Sequence, residues 1–350
     1  MAYTDIDKPS DYFDTKLYTG NSGTQNITGL DFQPDWVAIK DRDATNSFMT
    51  FDAVRGATKL LNWNTTNAES TQTPTLTSFN SDGFSIGNNT ALNTNGNDLV
   101  AWNWKAGTTG SGTTTGSGTG KAYSYSVNTD SGFQITKYVG NGTLGHTIPN
   151  HTGKIPTMII FKQLNEARGW GVYHKDLGAN KIIYLNETIA PQTIESNQWM
   201  NGTVPTSSVV TLGTLNEQNK NGADYIMYSF SNVQAYCKMG SYTGNGNVDG
   251  PFIYTGFSPS FIMGKRTDNT GPWWILDNKR DGYNVTNRYL LADDNRTEGT
   301  DVEYNTDFLS NGWKARYNNG NFNASGGTYI YMAFAENPFT SSTGTPVTAR

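Results

Sequence analysis

The feature that most constrains this chain is a pattern that it repeats three times. Each copy opens on Tyr-x-Gly-Asn, continues through an apolar strand that ends in lysine, and closes on an aromatic-rich strand after a glycine turn. The openings and the lysines are Tyr18 and Lys40, Tyr138 and Lys162, and Tyr242 and Lys265. Because self-similarity along a chain marks a repeated structural unit, the sequence predicts three copies of one domain.

The spacing within the repeat is nearly constant. The tyrosine and the lysine are 22, 24 and 23 residues apart, and the next apolar strand ends 12 residues after the lysine in every copy. Those second strands end at Asp52, His174 and Asp277. Since a slip of one residue would turn every side chain to the other face of a sheet, this spacing predicts that the three lysines occupy equivalent positions.

The composition favours β structure. Charged residues make up only 16% of the chain, which is rich in the Asn, Thr, Ser and Gly that suit turns and strands. Asp82-Gly83 and Asn311-Gly312 stand between apolar residues and predict tight hairpins with positive φ, whereas the second copy has no such dipeptide. Short strands at this density predict three tandem antiparallel β-sandwich domains. The continuously apolar stretches "TMIIF" and "SFIMG" predict central strands buried on both faces.

The predicted domain organisation follows the repeat. We expect a first sandwich with an N-terminal anchor at 1–106, a Gly/Thr/Ser linker at 107–120, a second sandwich at 121–237 and a third at 238–350. The linker has no side chain suited to burial, so we expect a flexible tether that spans on the order of 20 Å. The second and third sandwiches are expected to dock as a rigid pair.

Charge and hydropathy argue against several classes of protein. The net charge is −5 and no Lys/Arg run is present, which argues against a nucleic-acid partner. No apolar run is long enough for membrane insertion, and the N-terminal residues lack the pattern of a secretion signal, so we expect synthesis in a cytoplasm. The single cysteine, Cys237, lies in the strand-like "AYCKM" and is predicted to be a buried thiol.

The histidines offer little acid-base or metal chemistry. His146 and His151 flank "TIPN", and no third His or Cys follows at a usable spacing, so a polar loop is favoured over a metal site. His174 takes the position that Asp52 and Asp277 hold in the other copies. A catalytic residue would not be expected to change between copies, which favours a structural role.

A carboxylate and a guanidinium recur three residues apart, as Asp52 with Arg55 and as Asp277 with Arg280. One interpretation is a polar ligand bound in each domain. The other, which we favour, is a charge-assisted hydrogen bond that fixes the loop after the strand.

Two acidic clusters could bind calcium, namely Asp41 with Asp43 and Asp293 with Asp294, but solvated loops are the simpler interpretation. No nucleophile elbow or phosphate loop is present, and nothing singles out a carboxylate pair. The sequence therefore predicts no catalytic residue, no cofactor and no metal, and it assigns no binding residues.

The longer strings carry a family resemblance. "SYTGNGNVDGPFIYTGFSPSFIMGKRTD", "FLSNGWKAR" and "ASGGTYIYMAFAENPF" resemble the C-terminal repeat of proteins from tailed phages of marine bacteria, usually described as tail fibre or structural proteins. The opening "MAYTDIDKPSDYFDTKLYTGNSG" with "FDAVRGATK" is similar to their N-terminal repeat.

The resemblance implies a non-enzymatic virion protein assembled in the host cytoplasm, with sandwiches of jelly-roll or concanavalin-like, lectin-like type. On the same resemblance, the first unit is expected to sit on the particle while the second and third units reach outward. The resemblance also implies other virion proteins as partners, a homo-oligomer with a trimer favoured, and a host-surface glycan as a further partner. A tail fibre or appendage is the first interpretation, and a capsid decoration protein or short capsid fibre is the second. A polysaccharide depolymerase is the third, and it would need a carboxylate pair in a groove.

Overall fold

The computed structural model describes residues 4–347, and this part of the chain is all-β. Its strands form three large and three small antiparallel sheets. The helical segments are single turns, and none within the described range is long and apolar enough to cross a membrane. The prediction of antiparallel β-sandwiches is confirmed.

The first unit is a six-stranded sheet packed on a three-stranded one. Its elements are β1 (Phe13–Thr19), β2 (Gln25–Ile27), β3 (Trp36–Asp41), β4 (Met49–Asp52), β5 (Lys59–Asn62), β6 (Ser70–Thr71), β7 (Leu76–Asn80), β8 (Gly83–Ile86), α1 (Thr90–Asn93) and β9 (Asp98–Trp104), after a 3₁₀ turn at Pro9–Asp11. The large sheet has the order β1-β9-β3-β4-β5-β6 and the small one β2-β8-β7. The closing strand β9 therefore lies between the opening strand and the lysine strand.

The second unit has the same central strands and several additions. Its elements are β10 (Thr108–Thr113), β11 (Thr115–Gly116), β12 (Ala122–Asn128), β13 (Phe133–Val139), β14 (His146–Pro149), β15 (Pro156–Gln163), β16 (Gly171–His174), β17 (Lys181–Tyr184), β18 (Gln192–Thr193), a 3₁₀ turn at Met200–Gly202, β19 (Val209–Leu212), α2 (Asn216–Asn219) and β20 (Asp224–Ser231). The large sheet runs β10-β12-β13-β20-β15-β16-β17-β18, and the small one runs β11-β14-β19.

The third unit repeats the first strand by strand. Its elements are β21 (Cys237–Thr243), β22 (Phe252–Tyr254), β23 (Phe257–Arg266), β24 (Trp273–Asp277), β25 (Arg288–Leu291), β26 (Gly299–Thr300), a 3₁₀ turn at Val302–Tyr304, β27 (Thr306–Leu309), β28 (Gly312–Ala315), α3 (Gly320–Asn323) and β29 (Thr328–Pro338). The sheets are β21-β29-β23-β24-β25-β26 and β22-β28-β27.

The register places the three lysines at equivalent positions. The pairs on the lysine and closing strands are Lys40 with Val100, Lys162 with Ile226, and Lys265 with Ile330. In each case the partner lies four residues before the last aromatic residue of the closing motif. The prediction from the spacing is confirmed.

The Tyr-x-Gly-Asn motif fastens the opening strand to the helical turn. In the third unit Tyr242 Oη donates to Phe322 O at 2.7 Å, and Asn245 N donates to the buried Asn323 Oδ1 at 2.9 Å. A Cβ on Gly244 would lie 2.3 Å from a backbone oxygen of the same turn, so only glycine allows this approach. The first two units make the same tyrosine and asparagine contacts, which explains why the motif occurs three times.

The two predicted hairpins are present, but their turns begin one residue earlier than expected. The turn residues are Ser81–Asp82 and Ser310–Asn311, and the glycines are the first residues of β8 and β28. Asp82 and Asn311 do not adopt positive φ. In both hairpins a Cβ at the glycine would lie within 2.2 Å of a carbonyl oxygen of the neighbouring strand. Glycine is required there by close strand packing.

The Gly-rich segment 107–120 is not a flexible coil, and that expectation is wrong. β10 pairs with β12 along its whole length, and β11 pairs with β14. Gly110 and Gly112 lie opposite Tyr125 and Tyr123, whose ring atoms would be 2.5 and 3.0 Å from an added Cβ. The tyrosine rings cover the glycines, so the segment obtains from β12 the packing that its own side chains cannot supply.

The second unit lacks the hairpin of the other two, as predicted. In the first and third units the hairpin adds a third strand to one edge of the small sheet. In the second unit β11, from the Gly-rich segment, adds the third strand at the opposite edge. The segment thus completes the small sheet by a different route.

The three large sheets share one central hydrophobic core. Trp36 stacks on Tyr228 with ring centroids 4.3 Å apart, and Phe230 and Phe334 are 5.9 Å apart. Trp102 meets Phe261 at 5.8 Å. Every pair of units is therefore in contact.

The opposite face of each large sheet packs on its own small sheet. The strands β15 and β23 are therefore buried on both faces, as "TMIIF" and "SFIMG" predicted. The expected rigid pair with a separate first unit is wrong, because all three units contribute to the same core. Buried Ile6 places the N-terminal segment on this core too, while Met1–Tyr3 of the predicted anchor lie outside the described residues.

Candidate functional site

The two Asp–Arg pairs lie inside the contacts between units. The side chains of Asp52 and Arg55 are at most 1% exposed, and Arg55 Nε donates to Asp52 Oδ2. Tyr228 Oη, on the closing strand of the second unit, donates to the same carboxylate at 2.7 Å. The pair is closed to solvent and fixes the first unit against the second.

The third unit makes the same contact with the first. Arg280 Nε donates to Asp277 Oδ2 at 2.6 Å, and both side chains are fully buried. Trp102 Nε1 on the closing strand of the first unit donates to Asp277 at 3.2 Å. Arg280 also donates to Glu298 at 3.1 Å, and Glu298 accepts two bonds from Arg42 of the first unit.

The two contacts follow a cyclic order, and the third place in it lies between the second and third units, where His174 interacts with the backbone of Tyr331. Tyr228 and Trp102 hold equivalent positions on their closing strands, and the third member of that set is Met332. Met332 has no side-chain donor, and the position that is aspartate in the other units is His174. His174 is buried, and this burial lowers its pKa to about 4, so the imidazole is neutral at pH 7. Because the facing position has no side-chain donor that could bond to a carboxylate, a neutral side chain suits this site.

We expect Arg280→Ala to destabilise the protein by about 3 kcal/mol, because Asp277 and Glu298 would keep their charges in a buried site. Thermal and urea unfolding measure this loss. Arg288→Ala is the matched control, since Arg288 also contacts Glu298 but is 46% exposed, and we expect a change below about 1 kcal/mol. Unchanged stability of the Arg280 variant together with lost ligand binding would show that the pair belongs to a binding site.

The three equivalent lysines are also buried between or beside the units. Lys162 Nζ donates to Thr66 O of the first unit at 3.2 Å, and Lys265 Nζ donates to Glu187 O of the second at 3.1 Å. Lys40 is likewise fully buried. Burial lowers the pKa of each lysine to about 8.

The histidines singled out by the sequence do not form a metal site. His146 lies between Thr114 Oγ1 at 2.6 Å and Asn219 Oδ1 at 3.2 Å, and His151 stacks on Tyr125. Among residues 4–347, no group of three His, Cys, Asp or Glu side chains could hold a metal ion.

The acidic clusters and the cysteine also have local partners. Asp41 accepts bonds from the backbone amides of Asp43 and Ala44, and Asp293 accepts one from the amide of Trp273. Cys237 is buried as predicted, and this burial raises the pKa of its thiol to about 12.

An open groove runs along the contact between the second and third units. We call it the seam groove, and it consists of three adjoining cavities of about 520, 350 and 370 Å³. Asp176 and Ser241 border both the first and the second cavity, and Tyr254 borders both the second and the third. The second unit contributes the loop after β16 and Lys181, and the third unit contributes β21, β22, the residues after β23 and both ends of β29.

The middle of the seam groove presents aromatic rings to solvent. Phe252 and Tyr254 are 46% and 55% exposed, and they alternate with buried Ile253 along β22. Lys238 Nζ lies 5.3 Å from the centre of the Tyr254 ring and donates to Tyr254 O at 2.7 Å. These two contacts with Lys238 hold Tyr254 in place, so that its ring is available to a ligand.

The first cavity contains two carboxylates, Asp176 and Asp268. Burial raises the pKa of Asp176, but the hydrogen bond from Lys175 and the nearby charges outweigh it and lower the pKa overall. The hydrogen bonds from Arg266, both 3.0 Å, lower the pKa of Asp268. Both groups are ionised at neutral pH and neither is prepared to donate a proton.

Of the seam groove residues the sequence singled out only Tyr242, as a landmark of the repeat and not as a binding residue. The two walls of the groove are more than 50 residues apart in the chain and meet only because the units pack together. The available signal was the alternation in "FIY", where two aromatic residues flank the residue that turns inward.

The fold and the groove together are those of an all-β protein built from fused sandwich units with an open polar and aromatic cleft. The model of a family described as a domain of unknown function (DUF7483) matches residues 8–338, and the chain belongs to this family. That match spans all three units, so the family's domain is the whole three-unit body. No curated protein and no solved structure shows a significant match.

Proposed function

We propose that this chain is a non-enzymatic structural protein of a bacteriophage virion, a tail fibre or appendage component that contributes to attachment to a host-surface glycan. The observation that carries the attachment role is the seam groove, with its exposed rings of Phe252 and Tyr254. The virion assignment rests on the resemblance of the repeat strings to phage structural proteins.

The seam groove suits a carbohydrate chain better than a small compact ligand. It is long and open, and its lining combines aromatic faces with hydroxyl, carboxylate and ammonium groups. A sugar ring offers an apolar face for stacking and hydroxyls for hydrogen bonds, so both kinds of group are used. Because the walls belong to two units with a common core, the groove is held in shape before a ligand binds.

A virion carries many copies of its structural proteins, so weak binding at each groove would add up to strong attachment. The partners on this proposal are other virion proteins and further copies of the chain, with a trimer favoured. The aromatic faces of the large sheets are already occupied within one chain, so contacts between copies would use the outer surfaces. A capsid decoration protein or short capsid fibre is the alternative, which shares the fold and differs in its place on the particle.

A depolymerase is the remaining candidate, because Asp176 and Asp268 line one cavity. A glycosidase needs one carboxyl that keeps its proton at neutral pH, whereas the pKa of both groups is lowered here. This favours binding over hydrolysis. Release of reducing sugar from host envelope polysaccharide, lost in Asp268→Asn, would establish the enzyme instead.

The proposal predicts that the chain is found in purified phage particles and that the isolated protein binds host cells. Tyr254→Ala should reduce cell binding roughly tenfold, because it removes the most exposed ring of the groove. Tyr283→Ala is the control, since Tyr283 is 86% exposed and does not line the groove. Absence of the chain from particles would refute the virion assignment, and unchanged cell binding by the Tyr254 variant would refute the role of the groove.

A further inference from the structure

We propose that the seam groove contains a subsite for an anionic sugar residue, formed by Lys175 and Lys238 beside the ring of Tyr254. The ligand class is an acidic oligosaccharide, such as a chain of uronic acid residues. This inference rests on the proposed glycan-binding role and names the kind of glycan.

Two ammonium groups and one carboxylate line the middle cavity. Lys175 Nζ pairs with Asp176 Oδ1 at 2.6 Å, so these two charges largely cancel. Lys238 Nζ donates to the neutral oxygen Tyr254 O, and no carboxylate of residues 4–347 forms a salt bridge with it. The cavity therefore keeps about one positive charge that the protein does not neutralise.

The electrostatics of Lys238 are those of a site that lacks an anion. Burial, followed by the positive charge of Lys175, lowers the pKa of Lys238, and the negative charge of Asp176 opposes this only in part. A carboxylate placed between the two lysines would be attracted by both ammonium groups and would relieve their mutual repulsion. A neutral sugar would leave that repulsion unchanged.

The aromatic ring beside this charge determines the orientation of the bound residue. Tyr254 is 55% exposed and separates the middle cavity from the third one, so a sugar stacked on it lies within reach of Lys238. The carboxylate of a uronic acid projects from the edge of its ring, while the ring face is apolar. A sugar stacked on the face of Tyr254 that Lys238 leaves open would direct its carboxylate past the edge of the ring toward the ammonium groups.

The two neighbouring cavities are different in charge. In the first cavity Asp268 is paired with Arg266 through two bonds, and Asp176 adds a further carboxylate. The third cavity is lined by Tyr254, Phe339 and polar backbone, with no charged side chain. An acidic chain would thus place one carboxylate at the middle cavity. On one side of it lies an uncharged cavity, and on the other a cavity lined by Lys181 and by two carboxylates that already have basic partners.

The test is calorimetric titration of the intact chain with a tetrasaccharide of galacturonic acid and with its fully methyl-esterified, neutral counterpart. We expect the acid form to bind at least about tenfold more tightly, with the preference shrinking as salt is raised. Lys238→Met should abolish the preference while leaving the weak binding of the neutral form. Lys279→Met is the control, since Lys279 is exposed and its nearest carboxylate is 4.0 Å away.

The outcomes separate this inference from the proposed function. Equal binding of the two tetrasaccharides, or an acid preference that survives in the Lys238 variant, would overturn the anionic subsite. If both tetrasaccharides bind equally and Tyr254→Ala weakens both, the groove is a neutral glycan site and the proposed attachment role stands. If the natural protein has its normal melting temperature and binds neither tetrasaccharide, both the subsite and the glycan role of the groove are refuted.

Discussion

Gly264→Ile is expected to destabilise the protein by more than about 4 kcal/mol, and a second change, Trp274→Met, is expected to restore most of the loss. Gly264 on β23 lies directly opposite Trp274 on β24, and a Cβ on the glycine would be 2.1 Å from the indole ring. The indole is fully buried in the core of the third unit, so it cannot move aside.

The other two units show how the same position can be filled. The equivalent pair is Ile39 with Met49 in the first unit and Phe161 with Gly171 in the second. A large residue on one strand is thus matched by a small one on the other, or two residues of middle size are paired. The combined side-chain volume of the pair is maintained, but it is divided differently between the two strands.

A double-mutant cycle tests this compensation. Trp274→Met alone should cost about 3 kcal/mol through the cavity that it leaves, and the double variant, which reproduces the pair of the first unit, should lie within about 1.5 kcal/mol of the natural protein. Urea unfolding gives the three values. Gly282→Ile is the control, since nothing lies within 4 Å of a Cβ there. Additive losses in the double variant would contradict the shared-volume explanation.

The second large effect is a rise in stability between pH 7 and pH 9. Lys40, Lys162 and Lys265 have a pKa of about 8 in the folded protein, below the ordinary value of 10.5, because they are buried. Between these two values the unfolded chain binds more protons than the folded one, so stability increases with pH. Each lysine contributes roughly 1.3 kcal/mol over this interval, or about 4 kcal/mol for the three.

The contribution of one lysine is isolated by Lys162→Met. The rise from pH 7 to pH 9 should be smaller by about 1.3 kcal/mol in this variant, whatever its stability at pH 7. The comparison also cancels Cys237. Because its pKa of about 12 in the folded protein lies above the ordinary value of 9.0, the folded state begins to lose stability as the pH approaches 9. Lys59→Met is the control, since Lys59 is partly exposed. An unchanged rise in the Lys162 variant would show that this lysine titrates normally.

The sequence by itself determined the repeated unit and its register. The sequence gives the spacing between Tyr-x-Gly-Asn, the lysine strand and the closing strand directly. Only one alignment of the strands is consistent with this spacing in all three copies. The aromatic closing strands were also predictable from the sequence, since each lies between the opening and lysine strands of a large sheet and is buried over most of its length.

Only the tertiary structure decided what covers the second face of each large sheet. A strand with apolar residues on both faces is predicted to be buried, but its sequence does not identify what packs against it. Here the equivalent sheets of the two other units pack against it. The cyclic contacts of Asp52, His174 and Asp277 depend on closing strands that are more than 150 residues away in the chain.

The structure of the Gly-rich segment and the formation of the seam groove also depend on tertiary packing. Glycine and threonine alone predict a coil, but the rings of Tyr123 and Tyr125 supply the apolar surface that turns residues 108–113 into a strand. Lys175 and Tyr254 lie far apart in the sequence and become neighbours of one cavity when the second and third units pack. The local sequence pattern determines where the strands of each unit lie. Burial of the remaining aromatic faces determines how the strands of different units meet, because only the assembled body is stabilised by that burial.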